Sequence, residues 1–237
     1  MDALKSRAIA AWGVHFYTAL GAVLGFLALE ATARSQFGLA FLWMAVAVFI
    51  DATDGSLARR MQVKQVLPGF DGARLDDIVD YLNYVFVPVV LAYWAGLVPS
   101  GLPGQLVCAA PLLASGYGFC QADAKTEDHF FKGFPSYWNI VVFYLYVLAT
   151  PLWFNVAVLL LFSALVFVPI GYLYPSRNRA WQRTTYLLGS VWGVCVFVLL
   201  LQFPHPSPVL AWLSLYFPAY YLILSVLLHH RRHRKTA

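Results

Sequence analysis

Charge is what this sequence has least of. Asp, Glu, Lys and Arg make up 11% of its 237 residues, while hydrophobic residues make up 61%. An ordinary soluble domain is about 25% charged. So few polar side chains cannot cover a water-facing globule of this length, and the same shortage excludes a disordered chain or a charge-rich coiled coil. Cysteine is scarce too. Cys108, Cys120 and Cys195 form no CxxC pair and lie inside apolar stretches, so they read as small core residues. No internal repeat and no low-complexity tract is visible. The net charge is +5, yet no basic run is interleaved with exposed aromatics, which argues against a nucleic-acid partner. What remains is an all-α, polytopic integral membrane protein formed as a single domain over residues 1–237.

Apolar segments of membrane-spanning length fall at about 12–32, 37–57, 78–98, 104–122, 136–152, 155–174, 184–203 and 208–228. Pro and Gly clusters such as PSGLPG and FPHPSP punctuate the links. The first segment follows Lys5 and Arg7, but its apolar run is long for a cleaved signal. Eight spans would put all but Arg34 of the sixteen Lys and Arg on one side of the membrane. Basic residues collect on the cytoplasmic side, so both termini are predicted to be cytoplasmic. The tail HHRRHRKTA reads as an anchor on the anionic leaflet.

Acidic residues are fewer still, and they are not spread evenly. Of eleven, Asp51, Asp54, Asp71, Asp76, Asp77 and Asp80 sit within thirty positions, at the end of the second segment and the start of the third. Carboxylates there are costly unless paired, hydrated or bound to cations. Asp51 and Asp54 are three apart, and Asp76 and Asp80 are four apart, so each pair shares one helix face. Two adjacent helix ends therefore bring four carboxylates together, which repel unless cations intervene. An all-oxygen set with room for water suits Mg²⁺ or Mn²⁺. Two such ions would polarise a pyrophosphate. Gly55 and Gly72 leave space near the backbone for a bulky ligand, and Arg59 can take a phosphate bidentately. Asp71 and Asp77 read as solvated loop acids. Asp123, Glu127, Asp128 and His129 form a second acidic loop of no recognised ligand spacing. His15 either faces the site or packs. Arg177, Arg179 and Arg183 either hold an anionic headgroup or simply follow the cytoplasmic bias.

Taken together, the residues are Asp51-x2-Asp54-Gly55-x2-Ala58-Arg59-x12-Gly72-x3-Asp76-x3-Asp80. This pattern resembles the signature of the CDP-alcohol phosphotransferases, with a longer gap between Arg59 and Gly72 than most members have. Thr18 resembles the family's first-helix threonine, although Val14-His15 stands where Pro-Asn is usual. The blocks VLPGFDGARLDDIVDYLNYVFVPV, KGFPSYWNIVVFYLY, VHFYTALGAVLGFLAL and VFVPIGYLYPSR resemble the phosphatidylcholine-forming bacterial branch of that family. The resemblance implies transfer of a phosphatidyl group from CDP-diacylglycerol to choline with release of CMP, using Mn²⁺ or Mg²⁺. It implies a helical fold in the bacterial inner membrane, a site facing the cytoplasm, and a homodimer. It also implies that Asp51, Asp54 and Asp76 ligate the metals. Asp80 would complete that cage and act as general base, and Gly55, Ala58, Arg59 and Gly72 would line the CDP pocket with Thr18.

A quaternary ammonium donates no hydrogen bond, so aromatic faces must hold it. Tyr137 and Trp138, at the start of the fifth segment, and Tyr84, one turn beyond Asp80, are the candidates. An interfacial aromatic belt explains the first two as well. Another acceptor alcohol, such as serine, glycerol 3-phosphate or inositol phosphate, would keep the Asp pattern and change the aromatics. A cation carrier would use the acids as an ion site, but would leave the Gly-Ala-Arg positions without a purpose.

Overall fold

The computed structural model describes residues 2–122, 130–173 and 181–236, and these are mostly helical. They divide into two compact units, Met1–Ala95 and Gly96–Ala237. The first unit opens with two long helices, α1 (Asp2–Ala33) and α2 (Phe37–Arg60). Their three-residue link turns on Ser35, whose φ of 56° is left-handed, and closes with Gln36 N–H donating to the Ala31 carbonyl at 2.9 Å. So short a link forces the two helices antiparallel. Glu30 and Arg34 form an ion pair beside the turn.

A single turn, α3 (Val63–Val66), leads to α4 (Gly72–Asp80). Asp71 caps α4, its carboxylate accepting from the Arg74 backbone N–H at 3.1 Å. It is therefore a cap and not merely a solvated loop acid. The third apolar segment is not a uniform helix. α4 runs into a π-helical stretch, Tyr81–Phe86, and then α5 (Val87–Trp94). The cause is Pro88. Proline has no N–H to donate to the carbonyl four residues back, which belongs to Tyr84, and its ring crowds that carbonyl. Widening the turn before it relieves both.

The second unit comprises α6 (Leu102–Cys120), β1 (Phe130–Lys132), α7 (Trp138–Val147), α8 (Leu152–Phe167), β2 (Gly171–Leu173), α9 (Gln182–Leu201), α10 (Pro208–Ser214) and α11 (Tyr216–Thr236). The all-α expectation missed one small feature. β1 and β2 pair antiparallel, with Phe130 opposite Leu173 and Lys132 opposite Gly171. The predicted sixth segment, 155–174, stops being helical at Phe167 because Pro169 follows. The predicted fifth, 136–152, ends at Val147, where Ala149 takes a φ of 47°. Among the described residues, four helical stretches are long and apolar enough to cross a membrane: Lys5–Ala33, Phe37–Arg60, Gln182–Leu201 and Pro208–His230. α7 and α8 are shorter apolar helices.

Hydroxyl and indole groups tie the second unit together. Trp138 Nε1 donates to Ser115 Oγ at 2.7 Å, and Trp192 Nε1 donates to the Tyr144 hydroxyl at 2.8 Å. Tyr144 shares a further 2.8 Å hydrogen bond with Ser214, and Asn155 Nδ2 donates to the Leu97 carbonyl at 2.9 Å. Buried polar groups in an apolar bundle need such partners.

Candidate active site

Two adjacent hydrogen bonds join α1 to α2 just before the end of α2. The Thr53 hydroxyl donates to the carbonyls of Phe49 and Ile50, so it accepts from the Tyr17 hydroxyl at 2.9 Å. Next to it, the Thr18 hydroxyl donates to an Asp54 carboxylate oxygen at 2.7 Å. Both Thr18 and Asp54 are buried. The resemblance placed Thr18 toward CDP; the contact observed is with the carboxylate.

α4 and the π stretch lie against α1 through glycine. A Cβ on Gly21 would come within 2.5 Å of the Val79 side chain, and one on Gly72 would come within 2.5 Å of His15 Cε1. Gly72 is thus needed for close packing against the His15 ring, whatever ligand it also meets. His15 is buried, with its ring centroid 4.4 Å from that of Phe70 and the two planes tilted by 49°. Asn83, on the π stretch, donates from Nδ2 to the carbonyls of Gly21 and Val79, both at 3.0 Å. These contacts fix α4 and the π stretch against α1.

The result is a cleft whose wall includes Thr18, Asp51, Asp54, Asp76, Asp80 and Tyr84. Carboxylate oxygens of Asp51, Asp76 and Asp80 lie within 4.8 Å of one another, and all three residues are half-buried. Asp54 lines the same cleft but stands outside that trio, held by Thr18. The Tyr84 hydroxyl donates to Asp51 Oδ2 at 2.6 Å. An all-oxygen set gathered this closely could hold a hard divalent cation such as Mg²⁺ or Mn²⁺.

The remaining predicted residues divide. Gly55 is open enough that a Cβ there would meet only Arg59 Nη1, at 3.4 Å. Arg59 is exposed, and its Nη2 donates to Ser56 Oγ at 3.0 Å. Ala58 packs against the buried cluster of Ala11, Val14 and Val63. In the second unit, Tyr137 is half-buried with its ring 6.0 Å from that of Tyr221. Trp138 is fully buried. Arg183 is exposed. Asp123, Glu127, Asp128, His129, Arg177 and Arg179 lie outside the described residues.

Sequence reasoning missed the Tyr17–Thr53 pair, Gly21, Asn83 and the hydroxyl role of Tyr84. Pro88 was the available signal for the last two, since it widens the helix that carries them.

With this geometry established, comparisons with known proteins converge. The family model described as CDP-alcohol phosphatidyltransferase matches residues 14–170. A protein of Legionella pneumophila named phosphatidylcholine synthase is 44% identical over 225 residues, covering 91% of this chain and 87% of its own. Proteins of the same name from Pseudomonas aeruginosa and Rhizobium meliloti are 38% and 37% identical. They cover 88% and 84% of this chain, and 87% and 82% of their own lengths.

Proposed function

The chain belongs to the CDP-alcohol phosphatidyltransferase family, and we propose that it transfers the phosphatidyl group of CDP-diacylglycerol to choline, giving phosphatidylcholine and CMP. The observation that carries this reading is the meeting of Asp51, Asp76 and Asp80 in one cleft, in a chain that is 44% and 38% identical to relatives named for that product.

Asp51, Asp54 and Asp76 are the proposed ligands of two divalent ions, Mn²⁺ or Mg²⁺, with Asp80 closing the cage. Bound there, the ions supply charge neutralisation for the pyrophosphate and for the departing CMP. The chain's own residues do the rest. Asp80 accepts the proton of the choline hydroxyl as oxygen attacks phosphorus, a transfer that requires hydrogen-bond reach. Thr18 keeps Asp54 oriented. Arg59, one turn beyond Gly55, is free to swing from Ser56 to a phosphate oxygen, and Gly55 leaves the backbone open to it. The ring of Tyr84, Tyr137 and Trp138 are each proposed separately as a candidate choline contact, with Tyr137 more open than Trp138.

The same reading assigns eight spans with both termini cytoplasmic, on the distribution of Lys and Arg. It places the site at the cytoplasmic face of a bacterial inner membrane, where the acyl chains stay in the bilayer while the phosphates meet water-borne choline. The family match runs through both compact units, which supports one enzymatic domain. A homodimer is proposed from the family alone.

The test is CMP release by the purified protein with CDP-diacylglycerol and Mn²⁺, across choline, ethanolamine, serine, glycerol 3-phosphate and inositol phosphate. Release with choline alone, lost with a chelator and restored by added metal, is the expected result. Release with another alcohol instead would discard the choline assignment and keep the Asp roles.

A further inference from the structure

A short hydrogen bond to the acidic trio comes from a residue outside the family motif. The Tyr84 hydroxyl donates to Asp51 Oδ2 at 2.6 Å, within the range of a charge-assisted O–H···O⁻ bond, about 2.5–2.7 Å. Tyr84 is half-buried, as is Asp51, and both face the cleft that Asp76 and Asp80 share. Its position there depends on the helix it sits on. In a regular α-helix each fourth residue leads its predecessor by about 40°, so Asp76, Asp80 and Tyr84 would drift progressively around the axis. The π-helical stretch Tyr81–Phe86 begins immediately after Asp80. Its wider turn takes up that drift and returns Tyr84 to the face of the two carboxylates. Asn83 anchors the same stretch to α1 through the Gly21 carbonyl at 3.0 Å. The donor is thus mounted on a helix fixed at a second point.

We propose that Tyr84 is a positioning residue: its hydroxyl holds the Asp51 carboxylate in the orientation that lets Asp51 join Asp76 and Asp80 around one divalent cation. The inference rests on the metal reading given above. It is separate from the choline contact proposed for the Tyr84 ring, because hydroxyl and ring can be removed one at a time. A group that orients a metal ligand in this way changes metal affinity about 10–100-fold when it is lost.

The experiment measures Mn²⁺ binding directly, without substrates, on the purified full-length protein in detergent. Electron paramagnetic resonance reports the free ion, and thermal unfolding is followed in parallel. The variants are Tyr84→Phe, Asp51→Asn and the two combined. The expected result is Mn²⁺ binding weakened about tenfold or more by Tyr84→Phe, with the melting temperature retained. The double variant should be no weaker than Asp51→Asn alone, because the hydroxyl acts only through Asp51. In turnover, Tyr84→Phe should raise the Mn²⁺ concentration needed for half activity and leave the choline KM in place. Wild-type Mn²⁺ affinity in Tyr84→Phe, with weakened binding in Asp51→Asn, overturns the positioning role and leaves the metal site standing. Mn²⁺ affinity unaffected by Asp51→Asn overturns the metal reading and the positioning role together. A Tyr84→Phe protein whose melting and Mn²⁺ affinity fall in proportion, with the double variant additive, also overturns it, since the hydroxyl would then serve general packing.

Discussion

The two compact units use similar hydrogen-bond donors for different ends. In the first, hydroxyls of Thr18 and Tyr84 donate to carboxylates, Asp54 and Asp51. In the second, donors of the same kind meet neutral acceptors: Trp138 on Ser115, Trp192 on Tyr144, and Tyr216 on the Leu188 carbonyl at 2.6 Å. Among the described residues of the second unit no side chain is a carboxylate. A donor on a neutral acceptor ties helices together and does little else. A donor on a carboxylate also fixes where negative charge can meet a cation. Removing donors should therefore cost activity or metal affinity in the first unit and stability in the second.

The hardest test of that division is the acid that the first unit leaves to the chemistry. Asp80→Asn keeps size and packing but removes the base, so turnover with choline should fall about 10²–10⁴-fold. Binding of CDP-diacylglycerol to the purified variant should stay measurable. Turnover within a fewfold of wild type would return Asp80 to a purely structural place. A smaller loss is expected one layer out. Thr18→Val deletes the hydrogen bond to buried Asp54. Losing a bond to a charged group is worth about 1.5–3 kcal/mol, so kcat/KM should drop about tenfold or more. Thr18→Ser should recover most of it. Failure of the serine variant to recover would mean that the methyl group, and not the hydroxyl, is what Asp54 needs.

Much of the first unit was legible in the sequence because its chemistry is local. Asp51 and Asp54 are one turn apart, as are Asp76 and Asp80, so helical periodicity alone puts each pair on one face. What periodicity does not state is which carboxylates converge. Asp54 turned aside to Thr18, a contact across 36 positions, while Asp51 joined the pair on α4. Gly72 was read as room for a ligand, and it proved also to be the contact with His15. The π stretch was hidden because the apolar pattern of segment three continues across it, and hydrophobicity cannot distinguish a turn of α from one of π. Pro88 was the visible mark. In the second unit the apolar runs were found but their ends were not, since Pro169 and the left-handed Ala149 stop helices inside stretches that remain hydrophobic.

The gentlest prediction addresses the second unit, where the sequence reading and the geometry pull apart. Trp138 was predicted to face choline, yet it is fully buried, with its indole nitrogen bound to Ser115 and its ring 5.3 Å from that of Phe134. Trp138→Phe keeps an aromatic face and removes the donor. If the residue serves mainly as a tie, the loss is one net hydrogen bond, about 1 kcal/mol. That lowers the melting temperature by about 2–4 °C for a chain of this size. Choline KM should then stay within about twofold, because a fully buried ring offers the ammonium no open face. Trp138→Ala removes the face as well, and separates the two roles. A choline KM raised several-fold by alanine but not by phenylalanine would give Trp138 a direct share in the ammonium site. Equal KM values in both variants would leave that share to Tyr137, whose half-exposed ring can reach a ligand without opening the helix packing around Ser115.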